Sequence, residues 1–407
     1  MAYFSEQMAI PSLNLPRLCL TALLCALPWF AVAESSSEVS VQLSSFSSDN
    51  QNPFAATTPD GRIGFVAWDG LDAQGNRRIF LREHRDGVWL AETTIDTNRE
   101  GDNRSPVMGV DALGNLHIAW LARQAGNVRV QLRSRLAGEW LDWGVVDAGK
   151  SGENSSSVAL RLDGEGRPWV AWESAGSGNR YNIRCAWLSP SGIIDDTDLT
   201  SDSLNYNILP EILFLSEPTV VWYTAQDNTF SLAGRSWNAS TGDWKEYEPG
   251  PEATALPADR MPLLFSSPTG RLSAVWRDAE SSEAEDAESP YSLERVLFQE
   301  LAPSPNNPLA LTAEFGISTV AGSSGTDLDL LAWSAEAGNQ GRQVFVSTRE
   351  ANGEFEVPAP ISDGKGRYYG SPSLAAFSHG GLAAWTSSAA EGGNGHIYAA
   401  RIRVVSQ

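Results

Sequence analysis

The chain is 407 residues long and 42% hydrophobic, with 15 tryptophans against four methionines and four histidines. Its formal net charge of −21 repels nucleic acid and anionic lipid, which excludes both as general partners and suits a soluble exported protein. Only three cysteines are present, so no disulfide framework is available and stability has to come from core and topology.

Taken in order, the first predicted element is an export signal over residues 1–33. Arg17 supplies the positive charge, Leu18 to Phe30 the apolar run, and Ala31-Val32-Ala33 a small-x-small cleavage site. The mature chain is expected to begin at Glu34, as a monomer in the periplasm or outside the cell. No membrane span is expected in it, because the apolar run is short for a bilayer and no second one follows. Cleavage removes Cys19 and Cys25 and leaves Cys185, whose setting Ile183-Arg184-Cys185-Ala186-Trp187 alternates as a strand does and predicts a buried structural thiol.

Beyond the signal the chain repeats. Trp68, Trp120, Trp172, Trp222, Trp276, Trp333 and Trp385 recur at intervals of 50 to 57 residues, each ending an apolar run such as Ile63-Gly64-Phe65-Val66-Ala67 or Leu116-His117-Ile118-Ala119. A turn with glycine precedes most of these runs, as at Asp60-Gly61, Leu113-Gly114, Glu165-Gly166 and Thr269-Gly270. Upstream of the turn, Pro53, Pro106, Pro210, Pro262 and Pro372 are expected to open the first strand of the unit, where no ladder donor is needed. A third alternating run follows each Trp, as in Arg78-Ile79-Phe80-Leu81-Arg82, and most units add a fourth after a segment such as Gly138-Glu139-Trp140. Four antiparallel strands per unit, seven times over, predict an all-β fold: a seven-bladed β-propeller over residues 34–407. The last unit lacks a fourth strand, and Val39-Ser40-Val41-Gln42-Leu43 is expected to supply it and close the ring. The acidic stretch 278–290 reads as a solvated loop, without the alternating carboxylates and turn glycine of a calcium loop.

Ser105-Pro106, Asp111-Ala112-Leu113-Gly114 and Ala119-Trp120 together resemble the repeat of the sialidase-like β-propeller superfamily, a fold-level resemblance running from Gln51 to Arg403. The superfamily's Asp-box, Ser-x-Asp-x-Gly-x-x-Trp, is not intact: Asp111 and Gly114, or Asp163 and Gly166, keep the acid and the glycine without that spacing to the aromatic. Arg104-Ser105-Pro106 and Arg260-Met261-Pro262 resemble the family's Arg-Ile-Pro opening. The resemblance implies a propeller, and a glycoside hydrolase or lyase of sialidase-like type as the catalytic alternative. Seven units depart from the six of sialidases.

No residue pattern predicts a metal or a cofactor. His84, His117, His379 and His396 are scattered without cysteine partners, no Gly-x-Ser-x-Gly elbow occurs, and Gly364-Lys365-Gly366-Arg367 reads as a plain turn. For the enzyme alternative, Asp102, Glu153, Asp259 and Asp363 fall just before first strands, where paired carboxylates could act on a glycosidic bond. The other expectation is a non-catalytic binding or scaffold module for a glycan or protein ligand at the central opening. Residues just before each first strand should ring that opening: Asn52, Arg104, Asn154, Asn207, Arg260 and Tyr369, with Arg367 and Tyr368 one step further out. Guanidinium and amide groups suit an anionic or hydroxyl-rich ligand. Equally, Arg104 and Arg260 can pair with Asp102 and Asp259 beside them and tie the loops down. The seven repeating indoles are assigned to packed faces.

Overall fold

The computed structural model describes residues 36–37, 39–45, 47–97, 102–147, 153–175, 180–189, 194–201, 205–226, 229–248, 262–279, 293–302, 309–337, 342–350, 353–363, 368–389 and 394–404. It is a seven-bladed β-propeller of antiparallel blades, each with an inner, second, third and outer strand around a central channel. The second strands are Ile63–Leu71, Leu116–Gln124, Pro168–Ala175, Pro218–Gln226, Leu272–Ala279, Leu328–Glu336 and Gly380–Ser388, running past the repeating tryptophan in every case. All seven indoles are buried. Each packs into the face of the preceding blade: Trp120 joins Phe65, Ile79 and Leu81 of blade 1, and Trp385 joins Leu330 and Val344 of blade 6. The core is therefore a ring of interfaces between blades, which is why one bulky aromatic per unit is required and why its spacing is so regular. Cys185 is buried in the same way between blades 3 and 4.

Three indole N–H groups are anchored by an asparagine near the start of the inner strand: Trp68 to Asn50 at 3.0 Å, Trp120 to Asn103 at 3.0 Å and Trp222 to Asn207 at 3.1 Å. A buried donor without such a partner is unfavourable.

Pro262 stands just before its inner strand, Leu263–Ser266, as expected, but the other four prolines do not open theirs. Pro53, Pro106, Pro210 and Pro372 lie within Ser48–Thr57, Asn103–Val110, Tyr206–Phe214 and Tyr368–Phe377. Each sits at a break in the pairing register with the second strand, a β-bulge. A bulge frees one residue from the ladder, so proline's missing donor is tolerated well inside a strand. Asn52, Ser105 and Leu209, the residues before three of these prolines, have left-handed φ values of 48°, 52° and 54°, a strained setting for a side chain.

Four inner strands are held by the neighbouring blade, three of them at a bulge, through the residue that follows the repeating tryptophan. Asp69 Oδ2 accepts the Ser105 N–H at 3.0 Å and Glu173 Oε1 accepts the Leu209 N–H at 2.8 Å. Tyr223 donates its hydroxyl to the Pro262 carbonyl at 2.9 Å, and Arg277 its guanidinium to the Ile317 carbonyl at 2.8 Å. Backbone groups released by the bulge are thus paired again across the interface.

A second repeat finishes the outer strand. In Ile95-Asp96, Val146-Asp147, Leu199-Thr200 and Ile361-Ser362 the apolar N–H bonds to a third-strand carbonyl, and the polar side chain takes the N–H of that same third-strand residue. Leu43-Ser44 repeats the arrangement on Ile397, with bonds of 2.7 and 3.0 Å. Val41–Gln42 and Ser36–Ser37 pair with the third strand of blade 7, His396–Arg403, so the N-terminal segment closes the ring. Between blades 5 and 6 one strand, Leu309–Ser324, is the outer strand of the first and then the inner strand of the second.

Candidate functional site

The channel has two ends. At the crossover face the chain passes from one blade to the next. At the turn face the inner strand turns into the second, through turns closed by Gly114 N–H to the Asp111 carbonyl (3.1 Å), Gly166 to Asp163 (2.9 Å) and Gly270 to Ser267 (3.0 Å). Their side chains brace them: Asp163 Oδ1 accepts the Glu165 and Arg167 N–H groups, both at 2.9 Å.

The expected ring falls at the crossover face, within inner strands that begin earlier than the prolines. Asn52 donates to Asp69 Oδ2 at 2.7 Å, while Arg77 meets Asp69 Oδ1 at 2.6 Å and also pairs with Asp49. Asp69 is only 1% exposed, so this carboxylate is stabilised by its partners and not by water. Arg104, 54% exposed, pairs with Asp102 at 2.7 Å. That hydrogen bond holds the Arg104 guanidinium above its ordinary pKa, with Asp69 and Asp49 contributing. Asn52 and Arg104 are thus gathered around one acidic centre. The others are held within their own surroundings. Asn154 accepts the Val128 N–H, Asn207 is buried and bonded to Trp222 and to the Tyr181 carbonyl, and the buried Tyr369 hydroxyl donates to Asp363. Arg260 and Arg367, like Asp259, lie outside the described residues, as does the side chain of Tyr368. Glu153 accepts the Ser174 hydroxyl at 3.1 Å.

A cavity of about 1910 Å³ occupies the channel towards the turn face. Every blade contributes inner-strand residues to it, among them Phe54, Val107, Leu160, Leu264, Ser323 and Leu374. Because an inner strand pairs on one edge only, its other edge presents backbone donors and acceptors to this space. Ion pairs stand in the wall, Arg161 Nη2 to Glu211 Oε1 at 2.5 Å and Arg167 to Asp163 at 2.7 Å. Burial pushes the Glu211 carboxyl above its usual range, against the pull of Arg161. The lining is asymmetric: blades 3 and 4 add residues of their third and outer strands, including Trp187, Asp196, Trp237, Asp243 and Trp244. The cavity therefore continues outward between these two blades. The aromatic residues there are not among the expected site residues, and their signal in the sequence was present: Trp169, Trp187 and Trp237 stand outside the repeating pattern.

Beside this wall His117 is buried, its Nδ1 2.7 Å from Ser134 Oγ. Ser134 Oγ also accepts the Trp143 indole N–H at 2.7 Å, so its own proton points to Nδ1 and the ring proton is on Nε2, towards the Gly166 backbone. Burial lowers the pKa of His117 to about 4.

No protein-family model matches the chain and no curated protein matches its sequence. Solved structures do. A polysaccharide lyase, Uly1, aligns with a TM-score of 0.54 at 8% identity, over 90% of this chain and 100% of the other. A protein of unknown function from Dyadobacter fermentans aligns with a TM-score of 0.51 at 10% identity, over 91% and 99%. A Trypanosoma rangeli sialidase aligns with a TM-score of 0.47 at 10% identity, over 92% and 59%. The likeness is one of fold. Among the described residues no helix is long and apolar enough to cross a membrane.

Proposed function

We propose that this protein is an exported, non-catalytic propeller that binds a glycan in its central cavity. The observation that carries the reading is the cavity itself: about 1910 Å³, walled by apolar side chains and strand edges with carboxylates and hydroxyls among them, groups that can hold a ligand's body and fix its hydroxyls. The acids that hydrolysis would use at the crossover face are engaged, Asp102 by Arg104, Glu153 by Ser174 and Asp363 by Tyr369. A lyase needs a cation to neutralise a uronate before elimination, and both arginines lining the cavity are paired, Arg161 with Glu211 and Arg167 with Asp163. The fold shared with a polysaccharide lyase supports a carbohydrate as the ligand class and leaves catalysis to be tested. At the crossover face we assign the rim to Arg104 and Asn52, where the Arg104–Asp102 pair offers sugar hydroxyls both a donor and an acceptor.

A glycan array combined with a chromogenic glycoside panel and a uronate-elimination assay tests this directly. Saturable binding without turnover is expected. Turnover of any bound glycan would replace the reading with a hydrolase or lyase.

A further inference from the structure

We infer that the outward extension of the cavity between blades 3 and 4 is a binding groove for an uncharged oligosaccharide, with Trp187, Trp237 and Trp244 as its stacking surface. This deepens the glycan-binding reading and rests on it for the ligand class.

Two cross-strand indole pairs build the groove. Trp169 lies directly opposite Trp187 in blade 3, and Trp237 directly opposite Trp244 in blade 4. The pairs meet across the interface: Trp169 and Trp187 stack at 4.9 Å, Trp187 and Trp237 are 4.9 Å apart, and Trp187 and Trp244 6.1 Å. Trp169 is buried beneath, while the other three are half-buried and line the cavity. Trp244 stands where Trp89, Trp140 and Phe355 stand in other blades, but the fold does not require indoles at the Trp169–Trp187 pair. The position three residues before the repeating tryptophan carries the pairs His117–Ser134, Thr219–Ser236, Ser273–Glu300 and Leu330–Thr348 in other blades, and those interfaces close with their ordinary core. Aromatic surface left at a cavity wall suits the C–H faces of a pyranose ring.

The charges select an uncharged chain. Seven carboxylates and two arginines line the whole cavity, an excess that repels uronates and sulfated glycans. Five of the seven carboxylates are nevertheless paired with cations: Asp163 and Glu165 hold Arg167, Asp196 holds Arg184, Glu211 holds Arg161 and Glu217 holds Lys245. Their local field on a cation is therefore weak, while remaining lone pairs can accept sugar hydroxyls, which favours a glycan over a basic peptide.

The test measures affinity of the full chain for cellohexaose, xylohexaose and mannohexaose, against hexagalacturonate and hexalysine. Two variants are compared with the parent: Trp237→Ala, and Ala239→Arg, which places bulk at the groove from an exposed turn residue without touching the indoles. The expected result is binding of at least one uncharged hexasaccharide, weakened about tenfold or more in both variants, with the Ala239→Arg melting temperature unchanged. If a hexasaccharide binds and both variants keep the parental affinity, the indoles only pack and this inference falls while the channel reading stands. Preference for hexagalacturonate or hexalysine also overturns it, and absence of any oligosaccharide binding ends both readings.

Discussion

Acid should act on this protein through one histidine. His117 has its pKa lowered by burial from 6.5 to about 4, and protonation would also turn Nδ1 from acceptor to donor against the Ser134 hydroxyl. In the unfolded chain the same ring titrates near its ordinary value. The folded pKa is the depressed one, so the neutral histidine's contribution to stability is complete above pH 6.5 and is lost as pH falls towards 4. Each tenfold weakening of proton affinity is worth about 1.4 kcal/mol, which makes the full loss about 3 kcal/mol. The buried acids Asp96, Asp147 and Glu211, whose pKa values burial raises, act in the opposite sense as pH falls. Their effect is shared by a His117→Phe variant and cancels in the difference. Urea unfolding of parent and variant at pH 7.5 and pH 4.5 isolates the histidine's contribution, the parent losing about 2–3 kcal/mol more than the variant. A parent-to-variant gap that stays constant across this range would show that His117 is not held neutral by the fold.

Other outcomes follow from single contacts. Removing residues 34–45 should uncover the third-strand edge of blade 7 and expel the buried Leu43, giving aggregation or a much lower melting temperature; unchanged solubility and melting would disprove ring closure. Trp120→Ala should cost about 3–5 kcal/mol, as for other large-to-small core changes, and a parental denaturation midpoint would contradict its packing role. Asp69→Ala strips a buried carboxylate from Arg77, Asn52 and the Ser105 N–H, so a loss of about 3–5 kcal/mol is expected in chemical denaturation, and a change below about 1 kcal/mol would show that the bulge needs no clamp. Arg104→Ala should alter stability by less than about 1 kcal/mol while lowering affinity for a bound glycan severalfold; intact affinity would remove Arg104 from the rim.

The propeller was legible because its physics is periodic. Each interface needs one large apolar filler at the same depth, and tryptophan at Trp68 through Trp385 supplies it at near-constant spacing. The proline positions were legible and their meaning was not. Pro53 and Pro106 look like strand openers because an ordinary ladder forbids them further in, and only the register shows that a bulge has released those N–H groups. The outer-strand dipeptides escaped notice for a different reason: Ile95-Asp96, Leu199-Thr200 and Leu43-Ser44 share a hydrogen-bonding role and no common polar residue. Of the expected site residues, Asn207 carries a role that position alone does not reveal, since this amide near the crossover face is turned inward to hold Trp222.

The same distinction explains where recognition can reside in this fold. At the crossover half of the channel, polar side chains of the adjacent blade are committed to inner-strand backbone groups at four interfaces: Asp69, Glu173, Tyr223 and Arg277 differ in chemistry and do one job. Ligand contact there has to come from side chains outside the clamps, of which Arg104 is the half-exposed example. At the turn half, the turns are braced by their own short side chains, as Asp111 Oδ1 braces Leu113 and Asn115, and some are tied across an interface as well, as Arg401 ties the Gly61 carbonyl. Blade 3 has diverged visibly, carrying the Trp169–Trp187 pair where blades 2 and 4 carry His117–Ser134 and Thr219–Ser236, and Trp237 of blade 4 meets it where the cavity runs outward. A surface that the fold does not require, on a frame rigid enough to hold it, is where a ligand can be selected for.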